Sequence, residues 1–118
     1  MSEETQLGKI EISPTAIATL AAQSVLQSYG VVGMAPSNLA DELMTALGEA
    51  AHRGVQVRVD GDRIQIDLYV IVEYGTRISS VAHSIMNVVR YTVEKALGVS
   101  VSQVNVHVQG LRVSNRDV

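Results

Sequence analysis

The sequence predicts a single α+β domain of order β-α-α-β-β-α-β, in which helices cover one face of a mixed sheet. Three observations carry that prediction. Arg63-Ile64-Gln65-Ile66-Asp67-Leu68-Tyr69-Val70 and Val104-Asn105-Val106-His107-Val108-Gln109 alternate apolar and polar residues without a break, the period of strands buried on one face only. Between them, Ile78, Val81, Ala82, Ile85, Val88, Val89, Thr92, Val93 and Ala96 recur at helical spacing, a stripe broad enough to lie against that apolar face. The length of 118 residues is near the modal domain size and suffices for one core. The domain is placed at residues 7–113, with solvated tails at 1–6 and 114–118.

Taken in order, Leu7 to Ile12 reads as a short strand, and Ser13-Pro14 as a helix start with Ser as N-cap and Pro at the first helical position. Ile17, Leu20, Ala21, Ser24, Val25 and Ser28 carry that helix to about Tyr29, where Gly30 supplies a left-handed cap. After Val31-Val32-Gly33-Met34-Ala35-Pro36, read as a short buried turn, Ser37 caps a second helix with Leu39, Leu43, Met44 and Leu47 on one side, and Gly54 stops it. Val55, Val57 and Val59 then alternate with Gln56, Arg58 and Asp60, and Asp60-Gly61 signals a two-residue hairpin into a strand reaching Tyr74. Ile64, Ile66, Leu68, Val70 and Val72 fall on its inner face; burying such side chains contributes on the order of 10 kcal/mol before entropy is counted. Gly75 ends the strand, the long helix ends near Leu97-Gly98, and Val101 to Leu111 completes the sheet. The last strand can pair with either hairpin strand or with Leu7 to Ile12.

Composition excludes several functions. A net charge of −3 with Lys9 and Lys95 as the only lysines lacks the clustered cations that nucleic acid or anionic lipid surfaces demand. Absence of cysteine excludes disulfides, thiolate metal sites and cysteine nucleophiles, and fits a cytoplasmic protein. Met1 to Gln6 lacks the basic start and apolar stretch of a secretion signal. The longest apolar runs, Val31 to Pro36 and Leu68 to Val72, fall far short of the roughly 20 residues that span a bilayer. Residence at a membrane therefore requires a partner.

No motif names a reaction. His52, His83 and His107 lie on different elements without metal-ligand spacing, so no metal, cofactor or catalytic residue is assigned. Asp67, Glu73, His107 and Tyr69 share the polar sheet face by alternation, but acid–base chemistry needs a dry cleft that an open face does not offer. Gly30-Val31-Val32-Gly33 between two helices has the arrangement of an RNA-gripping KH loop, yet its central residues are valines and Lys9 is the only cation before His52. Tyr69 and Ile71 stand out on the same polar face. An aromatic and a β-branched residue beside amides make a patch suited to protein contact, and with Asn105, His107 and Gln109 they form the candidate interaction face.

The chain resembles the alkaline shock protein or Gls-type envelope stress response family of mostly Gram-positive bacteria. The resemblance runs through Gly8-Lys9-Ile10-Glu11-Ile12-Ser13, Gly30-Val31-Val32-Gly33, Gly54-Val55-Gln56-Val57, Asp67 to Gly75, and Val104 to Gly110. Two positions depart from the family pattern: Met86 stands where Gln is usual, and Leu97 precedes Gly98 where Thr is usual. The long charged tail of some stress-induced members is also missing. The resemblance implies a non-catalytic, self-associating cytoplasmic protein of envelope homeostasis, held at the membrane in some members by a small anchoring protein. A KH-like RNA-binding module is the alternative from another class.

Overall fold

The computed structural model describes residues 2–4, 6–35 and 54–113. The predicted second helix from Ser37, and with it His52, lies outside the described residues. Those described form strands β1 (Ser2–Glu4) and β2 (Lys9–Glu11), helix α1 (Pro14–Leu26), strands β3 (Val31–Met34), β4 (Val55–Asp60) and β5 (Arg63–Glu73), helix α2 (Ile78–Leu97) and strand β6 (Gln103–Arg112).

The long central strand organises the main sheet. β6 runs parallel to β5 along one edge, from Gln65 opposite Gln103 to Glu73 opposite Arg112. The other edge of β5 is shared by two antiparallel strands placed end to end, β4 against residues 63–68 and β3 against residues 70–72. Their meeting point is Tyr69, whose N–H donates to Gly54 O at 2.8 Å and whose carbonyl accepts from Ala35 N at 3.0 Å. The sheet is thus mixed, as expected, and β6 takes a hairpin strand as its neighbour.

Both described helices lie over the same face. α1 buries Ile17, Ala18, Ala21, Ala22 and Val25, and α2 buries Val81, Ile85, Val89 and Val93. They close over Val55, Ile64, Ile66, Leu68, Val70, Val72 and Val104 in one apolar cluster. Helix starts and stops follow local chemistry. Ser13 Oγ accepts from Ala16 N at 3.3 Å ahead of Pro14, and Gly98 ends α2 at φ +68° with its N–H on Glu94 O, a left-handed cap that a residue without Cβ adopts freely.

Four expectations are corrected. β2 pairs with β1 in a separate ribbon instead of joining the main sheet, so Ser2–Glu4 is a strand rather than a solvated tail. α1 stops at Leu26, one turn early, which leaves Tyr29 exposed. The hairpin loop is Gly61-Asp62, closed by Asp60 opposite Arg63, one residue later than the Asp60-Gly61 signal. With Gly61 at φ +63° and no positive φ outside glycine among the described residues, this loop follows the type II′ rule of glycine first. Finally, Val31–Met34 is an edge strand with a register shift between Val31 and Gly33, not a turn between helices. β-Branched residues fit a pleated edge, and there the backbone finds its hydrogen-bond partners on β5.

Candidate functional site

The face of the sheet opposite the helices is built in rungs, because cross-strand partners point the same way and residues two apart share a face. Arg58, Gln65 and Gln103 form one rung, and Gln56, Asp67 and Asn105 the next. Tyr69 beside His107 follows, and then Ile71 between Gly33 and Gly110. Glu73 and Arg112 close the series. Gln109 falls at a bulge in β6, where Val108 pairs with Val70 but Gly110 pairs with Ile71. The candidate face therefore contains Tyr69, Ile71, Asn105 and His107 as cross-strand neighbours, and Gln109 as the inserted residue between rungs.

Asp67 is the centre of the polar part. It is 5% exposed although it lies on the open face, because its neighbours fold over it. Oδ2 accepts from Gln65 Nε2 at 3.1 Å, and Oδ1 from Asn105 Nδ2 at 3.0 Å. His107 Nε2 lies 3.2 Å from Oδ1; an ionised carboxylate only accepts, so this ring nitrogen carries the proton. The imidazole is also stacked on Tyr69, ring centroids 4.5 Å apart and planes 11° from parallel. Burial, the largest single influence on Asp67, pushes its carboxyl up. The hydrogen bonds from His107, Asn105 and Gln65, with the charge of Arg58, outweigh it and hold the group below its ordinary value.

That balance favours the ionised form of Asp67 in the folded protein. Because its folded pKa lies below the unfolded one, its contribution to stability is present above the ordinary value of 3.8 and lost as pH falls through the lower folded value. Urea melts of wild type and Asp67→Asn across this acid range should converge as pH falls. A stability gap that does not change with pH would contradict the network's electrostatic role.

Asp67, Tyr69 and His107 thus come together as the alternation implied, whereas Glu73 sits at the far end of the face beside Arg112. His83 Nδ1 lies 2.8 Å from Ser79 O on its own helix, and among the described residues no three metal-ligating side chains converge. Sequence reading missed Arg58 and Gln65 as members of the Asp67 network. The hairpin register, once counted from Gly61-Asp62, places both in the adjoining rung. The KH arrangement loses its geometry, since Gly30-Val31-Val32-Gly33 runs into β3 and Gly30 O accepts from Glu73 N.

Comparison with known proteins gives a consistent picture. Residues 2–113 match the alkaline shock protein 23 family, described as having a cell envelope-related function. The chain is 46% identical over 113 residues to YloU of Bacillus subtilis (strain 168), covering 94% of each protein. It is 29% identical over 100 residues to a stress response regulator gls24 homolog of Streptococcus pyogenes serotype M3 (strain ATCC BAA-595 / MGAS315), covering 85% of this chain and 55% of that protein. Among solved structures, a MamM variant superposes with a TM-score of 0.51 at 16% identity, covering 85% of this chain and 99% of that one, a likeness of fold alone.

Proposed function

Because the chain belongs to the alkaline shock protein 23 family, whose function is cell envelope-related, we propose that it is a non-catalytic protein of envelope stress and homeostasis. In this reading it acts by protein contact through the open face of its sheet. The observation that carries the reading is the pre-organised surface itself. A buried, fully engaged carboxylate fixes Asn105 and His107, His107 fixes Tyr69 by stacking, and Ile71 stands between two glycines with nothing tall beside it. Rigid aromatic and apolar groups on a sheet lose little entropy on docking.

Among the described residues no helix is long and apolar enough to cross a membrane. A small membrane-anchoring protein is the partner this reading calls for, with the chain on the cytoplasmic side and copies associating with one another. The name of the gls24 relatives, a stress response regulator, supports the stress connection.

Ile71 offers the cleanest test, since it is half-buried at the surface and its side chain does not enter the core. Ile71→Lys should change stability by about 1 kcal/mol or less while releasing the protein from the membrane fraction of its host cells. A variant that stays with membranes as wild type does would remove this face from the interaction.

A further inference from the structure

At the β4–β5 hairpin the open face of the sheet ends in a hollow of about 330 Å³, lined by Arg58, Asp60, Arg63, Gln65, Ser102 and Gln103. Its construction follows from register. Arg58, Gln65 and Gln103 form one rung, and Asp60 opposite Arg63 forms the next toward the loop. Residues two apart on a strand share a face, so these five project on the same side as Asp67, away from the described helices. Ser102, just ahead of β6, is tied in by its N–H on Ile64 O at 2.8 Å. The floor of the hollow is therefore paired strand, and its volume falls at the small end of ligand clefts, which span about 300–1,000 Å³.

The charges lining it are not spent on one another. Among the described residues the ion pairs are Lys9 with Glu11 and His107 with Asp67, so neither guanidinium of the hollow is paired. Asp60 stands opposite Arg63 without forming a pair with it. Arg58 acts on Asp67 through its charge, and Gln65 Nε2 donates to Asp67. Two guanidinium forks, the Gln103 amide and the Ser102 hydroxyl are left as donors, with the Asp60 carboxylate as an acceptor. Two positive charges against one negative leave the lining with a single positive charge, in a protein whose net charge is −3.

We infer that this hollow binds a carboxylate, carried either by a small organic acid or by a peptide C-terminus. A planar guanidinium presents paired N–H groups that match the two oxygens of a carboxylate, and here two such forks line one hollow from neighbouring strands. A monoanion balances the lining, whereas a phosphate dianion exceeds it and meets the Asp60 charge. Two cations are also too few to follow a nucleic acid or a lipid surface, where affinity grows with each phosphate neutralised. Asp60 completes the fit by accepting from the donor nearest the bound carboxylate, a hydroxyl in a hydroxy acid or the last amide N–H in a peptide. The hollow lies at the opposite end of the sheet from Ile71 and does not depend on the contact face proposed above.

NMR titration of nitrogen-labelled protein at neutral pH tests it, with acetate, triglycine and triglycine amide as probes and ionic strength held by sodium chloride. Signals of Arg63, Gln65, Ser102 and Gln103 should shift saturably with acetate and triglycine and stay in place with triglycine amide. Arg63→Gln, at an exposed strand position, should weaken both acids by about tenfold or more. Triglycine binding more tightly than acetate assigns the site to a peptide terminus, and equal affinity assigns it to a small acid. Chloride that moves the same signals at equal ionic strength, triglycine amide that binds as the acid does, or Arg63→Gln that binds as wild type does overturns the proposal. Should Arg63→Gln disturb the fold, Arg58→Lys decides, since it keeps the positive charge near Asp67 and removes only the fork. Its affinity should fall about threefold or more, and unchanged affinity overturns the site. Ile71→Lys should leave acetate binding intact, which separates failure of the hollow from failure of the contact face.

Discussion

Gly54→Val is expected to leave a protein that barely folds, with a melting temperature lower by roughly 15 °C, corresponding to about 4 kcal/mol. Two costs combine. Gly54 sits at φ +80°, a region that β-branched side chains resist. A Cβ there would also lie 2.9 Å from Ala35 O and 3.0 Å from Tyr69 O. Both obstacles are backbone, held by the hydrogen bonds through which Tyr69 joins β3 to β4, so they cannot swing aside. Gly54→Ala should already show most of the loss, because the first carbon makes the clash. Gly75 provides the comparison, with φ +101° and nothing within 4 Å of an added Cβ; Gly75→Val should cost only the strain, about 1–2 kcal/mol. Equal melting points for the two valine variants would show that crowding at Gly54 is relieved by movement of the strands.

Leu68→Ala should cost about 2–5 kcal/mol, the range for a leucine whose removal leaves a cavity. Leu68 is fully buried on the central strand, paired with Val55 on one side and Val106 on the other. Packed neighbours on both flanks limit how far the site can collapse, which places the loss toward the upper end. Urea unfolding should show a lower midpoint with an unchanged slope. A loss below about 1 kcal/mol would mean that the core closes over the gap. Val106 is the weaker site for such an experiment. Alternation marks it as inward-facing like Leu68, but its half-exposed position on the edge strand lets a substituted group reach water.

This contrast marks the boundary of what alternation reveals. Period two assigns Val106 and Leu68 to the same face correctly, but how deep each lies depends on which strand is central, and that follows from pairing across the chain. β4, β5 and α2 were legible because each carries a long, regular pattern and a local stop such as Gly61 or Gly98. β3 was not, since Val31-Val32-Gly33-Met34 is too short to alternate and its glycines mimic a turn. The face bearing Tyr69, Asn105 and His107 was legible from parity. Burial of Asp67 was not, because it arises from Gln65, Asn105 and His107 closing over it from two strands. The bulge at Gln109 leaves no trace in an unbroken Val-polar-Val run.

The position of β5 between strands from both directions of the chain also sets the order in which the sheet can be assembled. β4 and β5 meet across a two-residue loop, a contact that closes within microseconds. Gln65 must wait for Gln103, on the far side of α2, and such long-separation pairings slow folding because chain entropy is lost before contacts repay it. On the ribosome, where synthesis proceeds from the N-terminus, the β4–β5 hairpin is complete while β6 is still unmade. One side of the central strand therefore stays uncovered until β6 emerges, and the nascent hairpin spends that interval as an open template for any extended segment nearby.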